Sequence, residues 1–207
     1  MQGQLWIVAA PSGGGKTSLI AETKRVLDDV VESVSYTTRE HRNGEIDGVH
    51  YHFVTKETFA AMKEAGDFLE SAEVFHNFYG TSETYVNELI AQGFDVILSI
   101  DWQGALQVKS KRPDVKTVFL LPPSLSALRE RLEKRGQDFP DIVRERMIEA
   151  KEQISHYCEF DFVIVNDDFN RAAKDLQHLI LAQRLERKRQ QSEIDELFAA
   201  LEAETIF

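Results

Sequence analysis

Short apolar runs alternate with amphipathic stretches along most of this chain. Residues 5–9 lead into helical spacing from 16 to about 27, residues 94–100 and 115–121 each precede a further helical stretch, and residues 162–165 precede the last. Runs this continuous suit strands buried on both faces, and strand-helix repetition of this kind builds a parallel sheet covered by helices. Residues 33–90 break the rhythm. Segments 34–38, 51–54 and 75–79 are aromatic and β-prone, with loop-rich text between them, which predicts an inserted β-rich lobe. Residues 94–101 read as a single strand, so the side chains at 99 and 101 are expected to share a face.

Beyond residue 121 the pattern changes again. Gly136-Gln137-Asp138-Phe139-Pro140 joins two arginine-rich helices, and this arrangement predicts a helical lid. After about Leu176 the chain reads as one long charged helix, basic over 184–189 and acidic beyond Glu193. In it, Ile194, Leu197, Phe198 and Leu201 form an apolar stripe suited to a docking or homo-oligomer contact. The predicted fold class is therefore α/β: a parallel sheet flanked by helices with an inserted β-rich lobe and a helical lid. The core covers about 1–32, 92–125 and 158–185, the lobe 33–91, the lid 126–157 and the C-terminal helix 186–207.

Composition narrows the function. The net charge of −11 argues against a nucleic-acid backbone as partner, so any anion site must be basic locally. The one cysteine, Cys158, fits a reducing compartment, and the apolar stretch near the N-terminus is too short for a membrane span. The expectation is a cytoplasmic protein without a membrane partner.

The chemistry begins at residues 10–17, Ala10-Pro11-Ser12-Gly13-Gly14-Gly15-Lys16-Thr17, which stand between the first strand and the first helix. Three consecutive glycines let backbone N–H groups turn inward, and the helix N-terminus adds positive dipole. Lys16 can reach the β- and γ-phosphates, and the Thr17 hydroxyl can hold Mg²⁺. This is the phosphate loop of a P-loop NTPase-type sheet, with Ala10 at the position where the pattern has glycine. It implies a polyphosphate ligand with Mg²⁺ as its companion.

A second anion clamp is suggested by Arg39 and Arg42, which sit on a hydroxyl-rich loop with Ser35 and Glu45, while Tyr51 and Tyr79 supply phenolic donors. Together with residues 70–81, Ile100-Asp101-Trp102-Gln103-Gly104, Arg135-Gly136 and residues 164–168, this set resembles the guanylate kinase family from the first strand to about residue 185. The resemblance implies ATP on the loop, GMP in the lobe and transfer of the γ-phosphoryl group from one to the other. It makes Glu70 the acceptor of the two guanine donors, Thr81 a donor to guanine O6, and Ser35, Arg39, Arg42, Glu45, Tyr51, Tyr79 and Asp101 further GMP contacts. Arg42, Arg135 and Arg146 would converge on the phosphates with Lys16, and Asn166 would contact adenine. Arg131 is a weaker candidate, and Arg129 and Arg144 read as solvent-facing.

Two positions depart from the family pattern. Ser99-Ile100-Asp101 has serine where the family has a first acid, which leaves Asp101 to serve the metal through water. His76 replaces a smaller residue and is expected to affect packing beside the acceptor site. A non-catalytic guanylate-kinase-like binding module, or another P-loop small-molecule kinase, would share parts of this pattern.

Overall fold

The computed structural model describes residues 3–74, 76–134 and 140–203. Along the chain, β1 (Leu5–Ala9), α1 (Lys16–Val26) and β2 (Val30–Glu32) are followed by β3 (Tyr36–Thr37), β4 (His52–Phe53) and α2 (Lys56–Ala65). Next come β5 (Phe68–Val74), β6 (Asn77–Ser82), α3 (Glu83–Ala91), β7 (Asp95–Leu98), α4 (Trp102–Lys111) and β8 (Lys116–Leu121). The last elements are α5 (Leu125–Lys134), α6 (Pro140–Ser155), a 3-10 turn (His156–Glu159), β9 (Phe162–Val165), α7 (Phe169–Arg184) and α8 (Gln191–Ala203).

The main sheet is parallel, in the order β2-β7-β1-β8-β9. Alternation along its strands divides the core in two. Leu5, Ile7, Ala9, Leu98 and Phe119 face one layer with Val86, Ile90 and Val108 of α3 and α4, while Trp6, Val8, Ile97 and Val118 face Leu19, Ile20, Leu176 and Ile180 of α1 and α7. The α/β class with a parallel sheet flanked by helices is thus as the strand pattern predicts.

A second sheet, ordered β4-β3-β6-β5, forms the lobe, and Phe59 stacks against Phe68 and Phe78 beneath it. Segment 33–91 holds more helix than its aromatic text suggests. Helices α2 and α3 start where Thr55 and Ser82 accept hydrogen bonds from the N–H groups of Thr58 and Tyr85, a capping chemistry that aromatic neighbours obscure. Through Val86 and Ile90, α3 packs in the main core although it falls within the lobe's span. Of the expected strand at 75–79, residue 75 lies outside the described residues, and residues 77–79 lie in β6, which forms a hairpin with β5. His76 lies at its tip with φ +62° and a side chain 99% exposed, so it turns the chain and does not pack beside a site.

The long C-terminal helix is two helices. The chain turns after Arg184, and this turn carries Arg189 back to the start of β7. There the buried Asp95 accepts from Gln4 N–H at 3.1 Å, Arg184 Nε at 2.8 Å and Arg189 Nη2 at 2.6 Å. The basic segment is therefore partly an inward clamp and not a solvated face. On α8, Leu197, Phe198 and Leu201 are exposed. Among the described residues, no helix is long and apolar enough to cross a membrane. Removing Arg189 takes a charged hydrogen bond from a buried carboxylate that keeps Arg184, so Arg189→Ala is expected to lower unfolding stability by about 2 kcal/mol in a denaturant titration.

Candidate active site

Two neighbouring cavities open at the carboxyl ends of the parallel strands, where loops leaving an α/β sheet gather polar groups. The first, about 440 Å³, is lined by Gly13, Gly15, Ser18, Arg131, Lys134 and Asn166, among others. Its floor is the phosphate loop. Gly13 and Gly15 have φ of +84° and +94°, a region that L side chains rarely adopt, and Gly14 N–H bonds Pro11 C=O at 2.8 Å. Gly15 caps α1, placing the helix N-terminus behind the loop, with Thr17 exposed in its first turn.

Asn166, buried at the end of β9, donates Nδ2–H to Gly14 C=O at 2.9 Å. A side chain at 15 would run into that amide, so one asparagine both props the loop and lines the cavity beside it. Arg131 donates to the Asn166 C=O at 2.8 Å, and its buried Nη1 has no hydrogen-bond partner. The structure thus places Arg131 in the wall of the first cavity, beside the loop. Its position one helical turn before Arg135 was the available signal. Arg129 and Arg144 are exposed, as expected. Arg135 lies outside the described residues, as does most of the lid tip.

The second cavity, about 330 Å³, brings together Lys16, Ser35, Arg42, Tyr51, Glu70 and Tyr79 with Ser99, Asp101 and Arg146. Lys16 belongs to the phosphate loop and so joins the two spaces. Its ammonium donates to Ile100 C=O at 3.1 Å, and burial lowers its pKa to about 8 against the raising effect of Asp101 and Glu32. Glu70 lies on β5 with 4% of its surface exposed. Desolvation raises its carboxyl to about pKa 7, with Asp101 adding to the rise, while the Thr81 hydroxyl and Lys111 oppose it.

Three predicted residues act one step away from this cavity. Thr81 is fully buried and donates its proton to Glu70 Oε1 at 2.7 Å, so in this structure the hydroxyl holds the carboxylate. Arg39 is bound by Glu45 at 2.7 and 3.0 Å and lies over the rings of Tyr51 and Phe53. Glu45 also accepts Arg42 N–H at 2.9 Å, so the Arg39–Glu45 pair fastens the loop that presents Arg42. The 94–101 strand is shorter than expected. It ends at Leu98, and Asp101 instead caps α4 by accepting Gly104 N–H at 2.8 Å, so Ser99 and Asp101 share a cavity and not a strand face.

A phosphate loop on a parallel sheet, joined through its lysine to a second cavity with a buried carboxylate and two arginines, defines a P-loop nucleoside-monophosphate kinase. The sequence profile described as guanylate kinase matches residues 2–183. Guanylate kinases of Pseudomonas fluorescens (strain Pf0-1) and Hahella chejuensis are 51% and 52% identical to this chain, covering 96% and 92% of it and 97% and 91% of their own lengths. The crystal structure of guanylate kinase from Anaplasma phagocytophilum superposes with a TM-score of 0.75 at 31% identity, covering 93% of each chain. This chain belongs to the guanylate kinase family.

Glu70 also sets a stability test. Its folded pKa stands above its ordinary value, so the native state holds a proton that the unfolded state releases, and stability falls as pH rises from about 4.5 through 7. Glu70→Gln keeps an acceptor for Thr81 and removes the buried charge. The variant should be more stable than the wild type by about 2 kcal/mol at pH 8, with the gap closing towards pH 5, as read by denaturant titration at each pH.

Proposed function

We infer that this chain transfers the γ-phosphoryl group of ATP to GMP, giving ADP and GDP. The observation that carries this reading is the buried Glu70 carboxylate in the cavity that Lys16, Arg42 and Arg146 share. Guanine presents N1–H and a 2-amino group side by side, and an ionised carboxylate accepts both. Adenine has an unprotonated N1 and no 2-amino group, so it would leave the buried charge unpaired. A site built around such a hydrogen bond rejects the analogue lacking it strongly.

Phosphoryl transfer needs positioning and charge neutralisation and no covalent step on the protein. Ser35, Tyr51, Tyr79 and Arg42 hold the GMP phosphate, with the Arg39–Glu45 pair keeping the Arg42 loop in place. The loop N–H groups and Lys16 hold the ATP phosphates, and Arg131 and Asn166 bind on the nucleoside side. Arg146 and Arg135 approach the transferring group as the lid closes, which also excludes water as a competing acceptor. The oxygen donors Thr17, Ser99 and Asp101 suit Mg²⁺: the Thr17 hydroxyl would hold it directly and Asp101 through water. Bound Mg²⁺ would neutralise charge on the β- and γ-phosphates.

The working parts are a core at about 1–32, 92–125 and 158–185, a GMP lobe at 33–91 and a lid at 126–157. The enzyme works in the cytoplasm, and the exposed stripe of Leu197, Phe198 and Leu201 on α8 serves as a contact between copies.

An ADP-release assay with GMP, AMP, dTMP and shikimate as acceptors tests the reading. GMP alone should drive turnover well above background, and Lys16→Met should abolish turnover while GMP still binds. Turnover no greater with GMP than without it would overturn the assignment. Ser99→Asp should lower the magnesium concentration needed for half-maximal rate by about threefold, since a second carboxylate favours a hard cation. An unchanged requirement would mean that Asp101 suffices.

A further inference from the structure

Gly104 stands in the first turn of α4 with an ordinary helical backbone, where alanine would be the better helix former. No turn or positive φ calls for glycine there. The reason lies across the cavity wall. A Cβ at this position would lie 3.0 Å from Glu70 Oε2, 3.3 Å from Ile100 Cδ1 and 3.4 Å from Asp101 Oδ1. The buried carboxylate stands directly on the bare backbone of α4.

The helix has no room to give way. Helix α4 is fastened to β5 on both sides of Glu70: the Gln107 side chain accepts from Ser71 N–H at 3.2 Å and donates to Ser71 C=O at 3.1 Å, and Lys111 donates to Phe68 C=O at 3.1 Å. On the carboxylate itself, Oε1 is held by Thr81 at 2.7 Å. Added bulk at 104 must therefore push Oε2 and tilt the carboxylate about its Thr81 anchor.

We propose that Gly104 is a positioning residue for guanine selection, its missing side chain setting the depth and tilt at which Glu70 meets the two guanine donors. This rests on the assignment of GMP as acceptor. The residue acts through Glu70 and touches no reacting atom. Its effect should therefore fall on acceptor recognition and spare the ATP side.

The test is Gly104→Ala in the full chain, measured with GMP, with inosine 5′-monophosphate, which keeps N1–H and lacks the 2-amino group, and with ATP. Losing one well-aligned hydrogen bond to a charged group predicts a KM for GMP raised about tenfold. The preference for GMP over the inosine nucleotide in kcat/KM should shrink, the KM for ATP should stay within about twofold, and the melting temperature should be unchanged or higher. An unaltered KM for GMP and unaltered preference would overturn the proposal. So would a joint loss of melting temperature, kcat and both KM values, which would make the glycine a folding requirement. A wild-type enzyme that fails to phosphorylate GMP would instead sink the functional assignment, so the two failures are distinguishable.

Discussion

A parallel sheet buried on both faces leaves polar groups only one place to gather, and the rest of this molecule follows from that constraint. Helices cover the two apolar layers around β1, β7 and β8, so the backbone groups freed where these strands end must find partners in the connecting loops. At the end of β1 the glycine loop lines the first cavity through Gly13 and Gly15. At the end of β7, Ile100 C=O accepts the Lys16 ammonium, and at the end of β9 the Asn166 amide holds Gly14 C=O. Three strand ends thus brace one loop.

The same region resolves the conflict between a chain of net charge −11 and anionic ligands. Lys16, Arg42, Arg131 and Arg146 surround the two cavities, while carboxylates near them are assigned to tasks that keep them from opposing phosphate. Asp101 caps α4 and Glu45 is bound by Arg39. Glu70 is the exception: a carboxylate that burial pushes toward neutrality against the hydrogen bonding of Thr81. Its cost to the fold is what makes it discriminating, since a ligand bringing two N–H donors recovers the desolvation that the protein leaves unmet.

How much of this was legible in the sequence depended on the range of the interactions. The phosphate loop, the five main-sheet strands apart from short β2, and the gathering of Ser35, Arg42, Tyr51, Glu70 and Tyr79 rest on local periodicity or on a family pattern. Helices α2 and α3 were missed because aromatic residues that pack beneath the lobe carry the same β-prone signal as strands, and only the caps Thr55 and Ser82 marked the change. The clamp on Asp95 was invisible for a different reason. Its arginines lie 89 and 94 residues away in the chain, and Arg184 to Arg189 has the composition of a solvated helix. For Glu45 and Thr81 the structure adds what each holds, Arg39 and the Glu70 carboxylate: a pattern marks a residue as part of a site without saying which neighbours it fastens.

The two cavities differ in what reads the ligand, and this explains where the chain tolerates change. On the donor side the backbone binds: N–H groups of a glycine loop recognise phosphate oxygens, which every nucleoside triphosphate shares. There Ala10 contributes only a Cβ lying beside Gly14, and replacing glycine by alanine at that position alters no donor. On the acceptor side a side chain reads the base, and hydrogen-bond geometry depends on tenths of an ångström. A methyl group that the donor loop accommodates at 10 therefore meets, at 104, a carboxylate oxygen 3.0 Å away with its helix fastened in place. Equivalent chemistry at the two positions has unequal consequences because charge attraction to a phosphate is broad, whereas paired hydrogen bonds to a base edge are directional.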